Sequence, residues 1–322
     1  MKRLLASLGL ACVLSPIAAS AADGVRVCLN WAPGADHVPL YAARQQGAFA
    51  DADLAVDLRP GGGSGDAIAK LASGECEVAV ADFSAVIAAR ARGTKVVATF
   101  AFMADSPLAF YSIDGAPLAS PGDVQARRLA ADPKELARRL WPRFANLNGV
   151  AADAVTWVDR PNNAKVDALA KGEVDVATNT FYHHRAEFEH AFGDRLLVLW
   201  WRDFGLNPYG NVLVARDGDL DAAWLARLVP IVQRAATGCV RDGAPCLAAL
   251  LGANPHLDAG QETGKWRAMQ PLLGPQRLRG TTLGAFDARR LADGLADPAA
   301  VDAATLSAAA TNRLLDTSIV VP

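Results

Sequence analysis

The chain has 322 residues, 52% of them hydrophobic and 20% charged, with a formal net charge of −2. That composition is globular rather than disordered and long enough for two domains of ordinary size. It lacks the basic excess that a nucleic-acid surface requires.

Lys2 and Arg3 precede an apolar run over residues 4–14, and Ala19-Ser20-Ala21 forms a small-x-small cleavage signature. Residues 1–21 therefore read as a secretory signal. The run is well short of the roughly 20 apolar residues that a bilayer span requires. Export would place the mature chain, starting near Ala22, in the periplasm, where disulfides persist. Cys239 and Cys246 flank the turn-forming stretch VRDGAP and are positioned for a local disulfide. Cys28 and Cys76 lie in strand-like surroundings and read as small buried apolar residues. There is no C-x-x-C motif to suggest zinc or thiol exchange, and no G-x-x-x-x-G-K-[ST] loop.

In chain order, the pattern predicts a strand over 25–29, a turn over 30–37, and a helix over 38–46 stopped by Gly47. A strand over 55–58 leads through Pro60-Gly61-Gly62-Gly63-Ser64-Gly65 into a helix over 66–74. A strand over 78–81, a helix after Ser84 and a strand over 96–102 follow. The alternation resumes with strands over 128–130, 156–158, 174–177 and 196–201, separated by helices over 134–141, 163–171 and 180–192. After a strand over 212–214 the chain reads as nearly all helical. Strands alternating with helices of about ten residues mark an α/β fold with mostly parallel sheets. The expected organisation is the leader (1–21), a first lobe (22–110), a second lobe (111–204), and a return to the first lobe with C-terminal helices (205–322).

In such sheets ligands bind beyond the carboxyl ends of the strands, which singles out the loops there. Trp31 offers a flat apolar wall for a planar ligand, or plugs a lobe edge. His37 donates to or accepts from a ligand, or caps the helix that follows. Gly62 and Ser64 open a helix whose amides and hydroxyl attract an anion, or form a plain turn. Ser84 is a ligand donor, while Asp82 caps the next helix. Of Asn162 and Asn163, one caps a helix and the other, Asn163, reaches the cleft. Thr180, Tyr182, His183 and Arg185 form the richest cluster. Adjacent histidines diverge on a helix, so His183 and His184 do not suggest metal. Trp200 and Trp201 fall on opposite faces of their strand, one in the core and one near the hinge. Tyr209 is a cleft residue of the crossover, and Asp203 holds the hinge.

The stretch LNWAPGADHVPLYAARQQGAFADADLAVDL, with Trp31, Pro33, His37, Tyr41 and Gly47-Ala48-Phe49, resembles the opening of bacterial binding proteins for thiamine-pyrimidine precursors. These form a branch of the alkanesulfonate/nitrate-type solute-binding proteins. LASGECEVAVADFSAVIAARARGTKVVA, DRPNNAKVDALAKGEVDVA, DFGLNPYGNVLVA and TNRLLDT resemble successive later blocks, so the resemblance spans nearly the whole mature chain.

It implies a two-lobe periplasmic-binding-protein fold with two crossovers and a ligand cleft, in which Tyr41 joins the ligand-binding residues. The implied role is the solute-binding component of an ABC importer: a monomer without cofactor, catalytic residue or nucleic-acid partner. It would meet the membrane only through a permease and its ATPase. The same fold also serves as a detector for a separate signalling partner.

Two departures from the pattern bear on the ligand. The turn reads Gly34-Ala35-Asp36 where the branch carries Asn, and Arg185 stands where an acid would fall. The expected ligand is a small planar heterocyclic or aromatic compound, like a pyrimidine precursor. The alternative is a small anion (a sulfonate or aromatic carboxylate) held by Arg185. Eukaryotic relatives make a thiamine pyrimidine from an active-site His and pyridoxal phosphate, but their cysteine-rich motif is absent here. Lys70 and Lys134 are not marked as Schiff-base lysines.

Overall fold

The computed structural model describes residues 22–113 and 118–322. The expected signal segment, and the side chain of His183, lie outside what it describes.

The first lobe begins with β1 (Asp23–Cys28), α1 (Val38–Gln45), β2 (Leu54–Arg59), α2 (Ser64–Ser73), β3 (Val78–Asp82), α3 (Phe83–Ala91) and β4 (Val96–Ala101). The second lobe holds β5 (Ala109–Ser112), β6 (Arg128–Ala131), α4 (Leu136–Leu147), β7 (Thr156–Asp159), α5 (Lys165–Ala170), β8 (Val176–Asn179), α6 (Tyr182–Phe192) and β9 (Leu197–Trp200). The chain then returns through β10 (Asn211–Arg216) to the first sheet, followed by α7 (Ala223–Arg241), α8 (Gly243–Ala253), α9 (Ala259–Leu273) and the short α10 (Ala303–Ala308).

The sheet orders are β2-β1-β3-β10-β4 and β7-β6-β8-β5-β9. The two sheets share one plan, a repeat the sequence does not display. Each is mixed rather than mostly parallel: β1 pairs in parallel with β2 and β3, whereas β10 is antiparallel to both of its neighbours. In the second sheet β5 is the antiparallel strand. The cause is connectivity. A helix returning the chain to the same edge enforces parallel strands, but β5 and β10 arrive from the other lobe and enter their sheets from the opposite end. β5, which begins just after Pro107, has no counterpart among the strands expected from the sequence.

The central strands are apolar on both faces because helices cover both. Val27, Val80 and Leu213 are buried toward α1, α7 and α9, and Ala79, Ala81 and Val212 toward α2 and α3. In the second lobe Phe110, Trp141, Phe144 and Trp201 form an aromatic core, with Phe144 and Trp201 stacked at 4.2 Å. Trp200, on the other face, lies beneath the guanidinium groups of Arg185 and Arg202. α7 to α9 bear out the helical tail, but beyond α9 the chain is less helical than expected and, apart from α10, runs in short turns over the first lobe.

That tail clasps the hinge. Asp105, in the first crossover, accepts from Asn207 of the second at 2.8 Å and pairs with Arg277. Arg290 donates to the carbonyls of Ala104 and Asn207, one in each crossover, at 2.6 and 2.7 Å. Arg143, from α4 of the second lobe, donates to the carbonyls of Ala292 and Leu295 and pairs with Asp293. Asp203 is exposed and only loosely paired with Arg202, at 3.9 Å, so the hinge is held by Asp105 and Asn207 instead.

Cys239 and Cys246 are joined across the start of α8, with Cα atoms 5.7 Å apart. Cys28 and Cys76 are also joined, with Cα atoms 6.0 Å apart. The expectation of two lone thiols fails because the parallel β1–β3 register sets Cys28 beside Ala79, within reach of the turn that carries Cys76.

Candidate functional site

A cavity of about 800 Å³ opens between the lobes at the carboxyl ends of the strands. From the first lobe come the loop after β1 (Asn30, Trp31, Asp36), the start of α2 (Gly63, Ser64), Asp82 and Ser84 after β3, Asn211 of β10, and Glu262 and Lys265 of α9. From the second come Lys134, Glu135 and Arg139 at the start of α4, and Thr180, Phe181 and Tyr182 after β8. Tyr209 and Ser106 contribute from the crossovers.

Two large aromatics stand exposed at this wall from opposite lobes, Trp31 at 63% and Phe181 at 45%. An apolar face left in water is unfavourable unless something covers it. The Trp31 loop is tied down from behind, its carbonyl accepting from the amide of Gly61 at 3.2 Å. Gly61 packs so tightly on β1 that a β-carbon there would sit 1.8 Å from the carbonyl oxygen of Leu29. Gly63, at φ +129°, occupies a conformation that glycine alone adopts readily.

A directed hydrogen-bond chain crosses the floor. His37 Nε2 bonds Asn30 Oδ1 at 2.9 Å, Asn30 Nδ2 donates to Asn211 Oδ1 at 3.1 Å, and Asn211 Nδ2 donates to Asp36 at 2.8 Å. Tyr182, from the other lobe, donates its hydroxyl to the same carboxylate at 3.1 Å. Asp36 is thus the acceptor on which two of these donors converge.

Asp82 caps α3, as the sequence suggests, accepting the amide of Ser84 at 2.9 Å and its hydroxyl. Loss of hydration raises its pKa above the usual aspartate value, offset in part by the Ser84 hydrogen bonds and the Arg139 guanidinium across the cavity. Glu135 is fixed by Lys165 at 2.5 Å and accepts from the hydroxyls of Thr178 and Thr180. Burial lowers the Lys165 pKa, and Glu135 opposes that shift. Glu262 is held by the amide of Ala35 and by Lys265.

The structure therefore brings Trp31, Ser64, Ser84, Thr180, Tyr182 and Tyr209 to one cavity. Others of the expected set lie elsewhere. His37 is fully buried behind the wall, because the turn points its ring into the lobe. Tyr41 is buried on the core face of α1. Gly62 yields its place to Gly63, its own amide bonded to Asp66. Neither Asn162 nor Asn163 caps a helix through its side chain, and Asn163 is exposed beside edge strand β7. Arg185 pairs with Glu189 at 2.6 Å and lies over Trp200, away from the cavity. Lys70 is engaged by Asp66 at 2.9 Å, whereas Lys134 is at the wall. Among the described residues no cluster of His, Cys, Asp and Glu suits a metal ion, and no helix is long and apolar enough to cross a membrane.

Glu135, Arg139, Glu262 and Lys265 were not anticipated. The loop after β6 obeys the same strand-end rule that singled out Thr180, and it would have yielded Glu135. Nothing local marks Glu262, whose partner Ala35 is 227 residues distant in sequence.

A model of the family described as "NMT1/THI5 like" matches residues 34–242, well over half of the chain. The chain belongs to this NMT1/THI5-like family. The matched span takes in both lobes and all of the cavity wall except Asn30 to Pro33, Leu257, Glu262 and Lys265. No curated protein matches the chain in sequence.

Solved structures share the fold of this NMT1/THI5-like chain at low identity. A putative periplasmic sulfonate-binding protein SsuA from Methylobacillus flagellatus aligns at TM-score 0.63 and 12% identity, over 92% of this chain and 93% of that one. The alkanesulfonate-binding protein SsuA from Xanthomonas axonopodis pv. citri, bound to MOPS, aligns at TM-score 0.56 and 16% identity, over 94% and 98%. The periplasmic aliphatic sulphonate binding protein SsuA of Escherichia coli aligns at TM-score 0.59 and 12% identity, over 76% and 79%.

Proposed function

We propose that this chain is the solute-binding component of an ABC importer, acting in the periplasm and capturing a small planar nitrogen heterocycle between its lobes. The observation that carries this reading is the pair Trp31 and Phe181, exposed on opposite lobes at the wall of one cavity. Closure about the crossovers brings two such faces onto a flat ring and expels water; aromatic walls with a few placed polar groups are the usual makeup of such sites. Asp36 and Asp82 supply acceptors for ring or amino N–H groups. Two disulfides suit an oxidising compartment. A permease and its ATPase are the partners such a component serves.

The reading as a simple anion binder rested on Arg185, which is engaged by Glu189 and Trp200. Against an enzymatic reading stands His37. It resembles a histidine in the opening of the eukaryotic relatives, yet it is fully buried, with Asn30 and Asp36 between it and the cavity.

Thermal shift of the mature protein tests the proposal. A ligand at 100 times its Kd adds about 2.7 kcal/mol. An aminopyrimidine should raise the melting temperature by several degrees, and Trp31→Ala should abolish the shift. A shift by aliphatic sulfonates alone, unaffected by Trp31→Ala, would overturn it.

A further inference from the structure

The charges on the cavity wall are sorted by lobe. Two of its ion pairs are internally matched: Glu135 with Lys165 at 2.5 Å, and Glu262 with Lys265 at 2.6 Å. The remaining acids, Asp36 and Asp82, both belong to the first lobe. Among the described residues the only side-chain hydrogen-bond partner of the Asp82 carboxylate is Ser84, with the Arg139 guanidinium attracting it from across the cavity. Asp36 accepts from Tyr182 and Asn211, and its one ion-pair partner among the described residues is His37, 3.4 Å away, whose pKa is lowered by burial. The remaining cations, Lys134 and Arg139, both belong to the second lobe and are exposed at the opposite wall. Among the described residues neither has a carboxylate within ion-pairing distance.

We infer that the ligand is dipolar: a planar heterocycle that presents amino or ring N–H groups to Asp36 and Asp82, and carries an anionic substituent, a carboxylate or a phosphate ester, toward Lys134 and Arg139. This rests on the reading of the cavity given above and adds the ligand's charge pattern. As the cleft closes and water leaves, each unmatched wall charge needs a counter-charge, because an unpaired buried charge is strongly unfavourable. A ligand charged at both ends supplies both at once, and charge-assisted hydrogen bonds fix its orientation. A neutral ring would leave Lys134 and Arg139 unmatched.

Calorimetric titration of the mature protein with four probes tests this: an aminopyrimidine, the same ring bearing a carboxylate, the same ring bearing a phosphate ester, and benzoate. At least one acid-bearing aminopyrimidine should bind roughly tenfold or more tightly than the neutral ring, with an advantage that shrinks as salt rises. Whether the carboxylate or the phosphate shows it identifies the anion. Arg139→Ala and Lys134→Ala should each lower affinity for the acid-bearing ring more than for the neutral one, and should leave the melting temperature of the free protein near that of the wild type, since both side chains are exposed. Equal affinity for the neutral and acidic rings overturns the dipolar assignment but leaves the planar-ring reading intact. If Arg139→Ala weakens both alike, Arg139 acts by pairing with Asp82 on closure, and the assignment also fails. Binding of benzoate as tightly as the acid-bearing aminopyrimidine removes the role given to the acids. Failure of every planar probe overturns the underlying reading itself.

Discussion

The phenol of Tyr182, at the start of α6 in the second lobe, donates to the carboxylate of Asp36 in the first, 3.1 Å away. This bond spans the cleft directly, apart from the crossovers, and it shares its acceptor with Asn211. The two lobes thus already touch at one side of an open cavity.

Tyr182→Phe removes that tie. The protein should lose about 1 kcal/mol of stability. Small-angle scattering of the ligand-free variant should show a larger radius of gyration than the wild type. An unchanged profile would mean that the hinge clasp and the packing of α6 on α9 set the angle between the lobes without it.

Among the described residues Trp31 belongs to no core cluster, so Trp31→Ala should leave the melting temperature of the free protein nearly unaltered. It should weaken binding of a planar ligand by about 1–3 kcal/mol, the range seen where bases stack on aromatic side chains. Loss of fold stability in this variant would return Trp31 to a structural role.

His37 gives a pH signature. Burial holds its pKa below the usual 6.5. The unfolded chain therefore binds a proton that the folded chain refuses as pH falls through that value. Stability is complete above the unfolded pKa and declines on acidification. His37→Gln, which keeps an amide donor for Asn30, should flatten the fall in melting temperature between about pH 7 and 5. A parallel fall in both proteins would assign the acid sensitivity to other groups.

Lys165 and Glu135 form a buried pair behind the wall. Lys165→Met leaves a carboxylate without its cation and should cost roughly 3–5 kcal/mol in urea unfolding. The double variant Lys165→Met, Glu135→Gln should recover part of that loss. Additive losses would show that the pair is not coupled.

Gly61→Ala should destabilise the protein and loosen the Trp31 loop, because no β-carbon fits against Leu29. Such overpacking typically costs about 1–3 kcal/mol, visible in a thermal melt. A melt like that of the wild type would mean that β1 yields easily there.

The sequence carries much of this architecture because each lobe is built from short apolar strands punctuated by glycine and proline. Ser64, Ser84, Thr180 and Tyr209 could be anticipated from their places after strands or in the crossover. What failed did so for identifiable reasons. Residues next to a site in sequence need not point into it: His37 follows cavity-lining Asp36 yet turns inward, and Arg185, one turn beyond Tyr182, faces Trp200. Asn163 lies after a strand end too, but β7 is a sheet edge remote from the cleft. The antiparallel strands depend on where the chain enters from, which no local pattern encodes.

The clasp formed by Arg277, Arg290 and Asp293 has a consequence for biogenesis. The segment that secures both crossovers is synthesised after every strand of both sheets, since Arg277, Arg290 and Asp293 follow β10 in the chain. Until it arrives, the lobes are connected but not registered, and the floor of the cleft lacks Glu262 and Lys265 as well. Completion of the cavity is therefore deferred past completion of the sheets, and a polypeptide halted at residue 255 would possess both sheets yet an unfinished cleft wall.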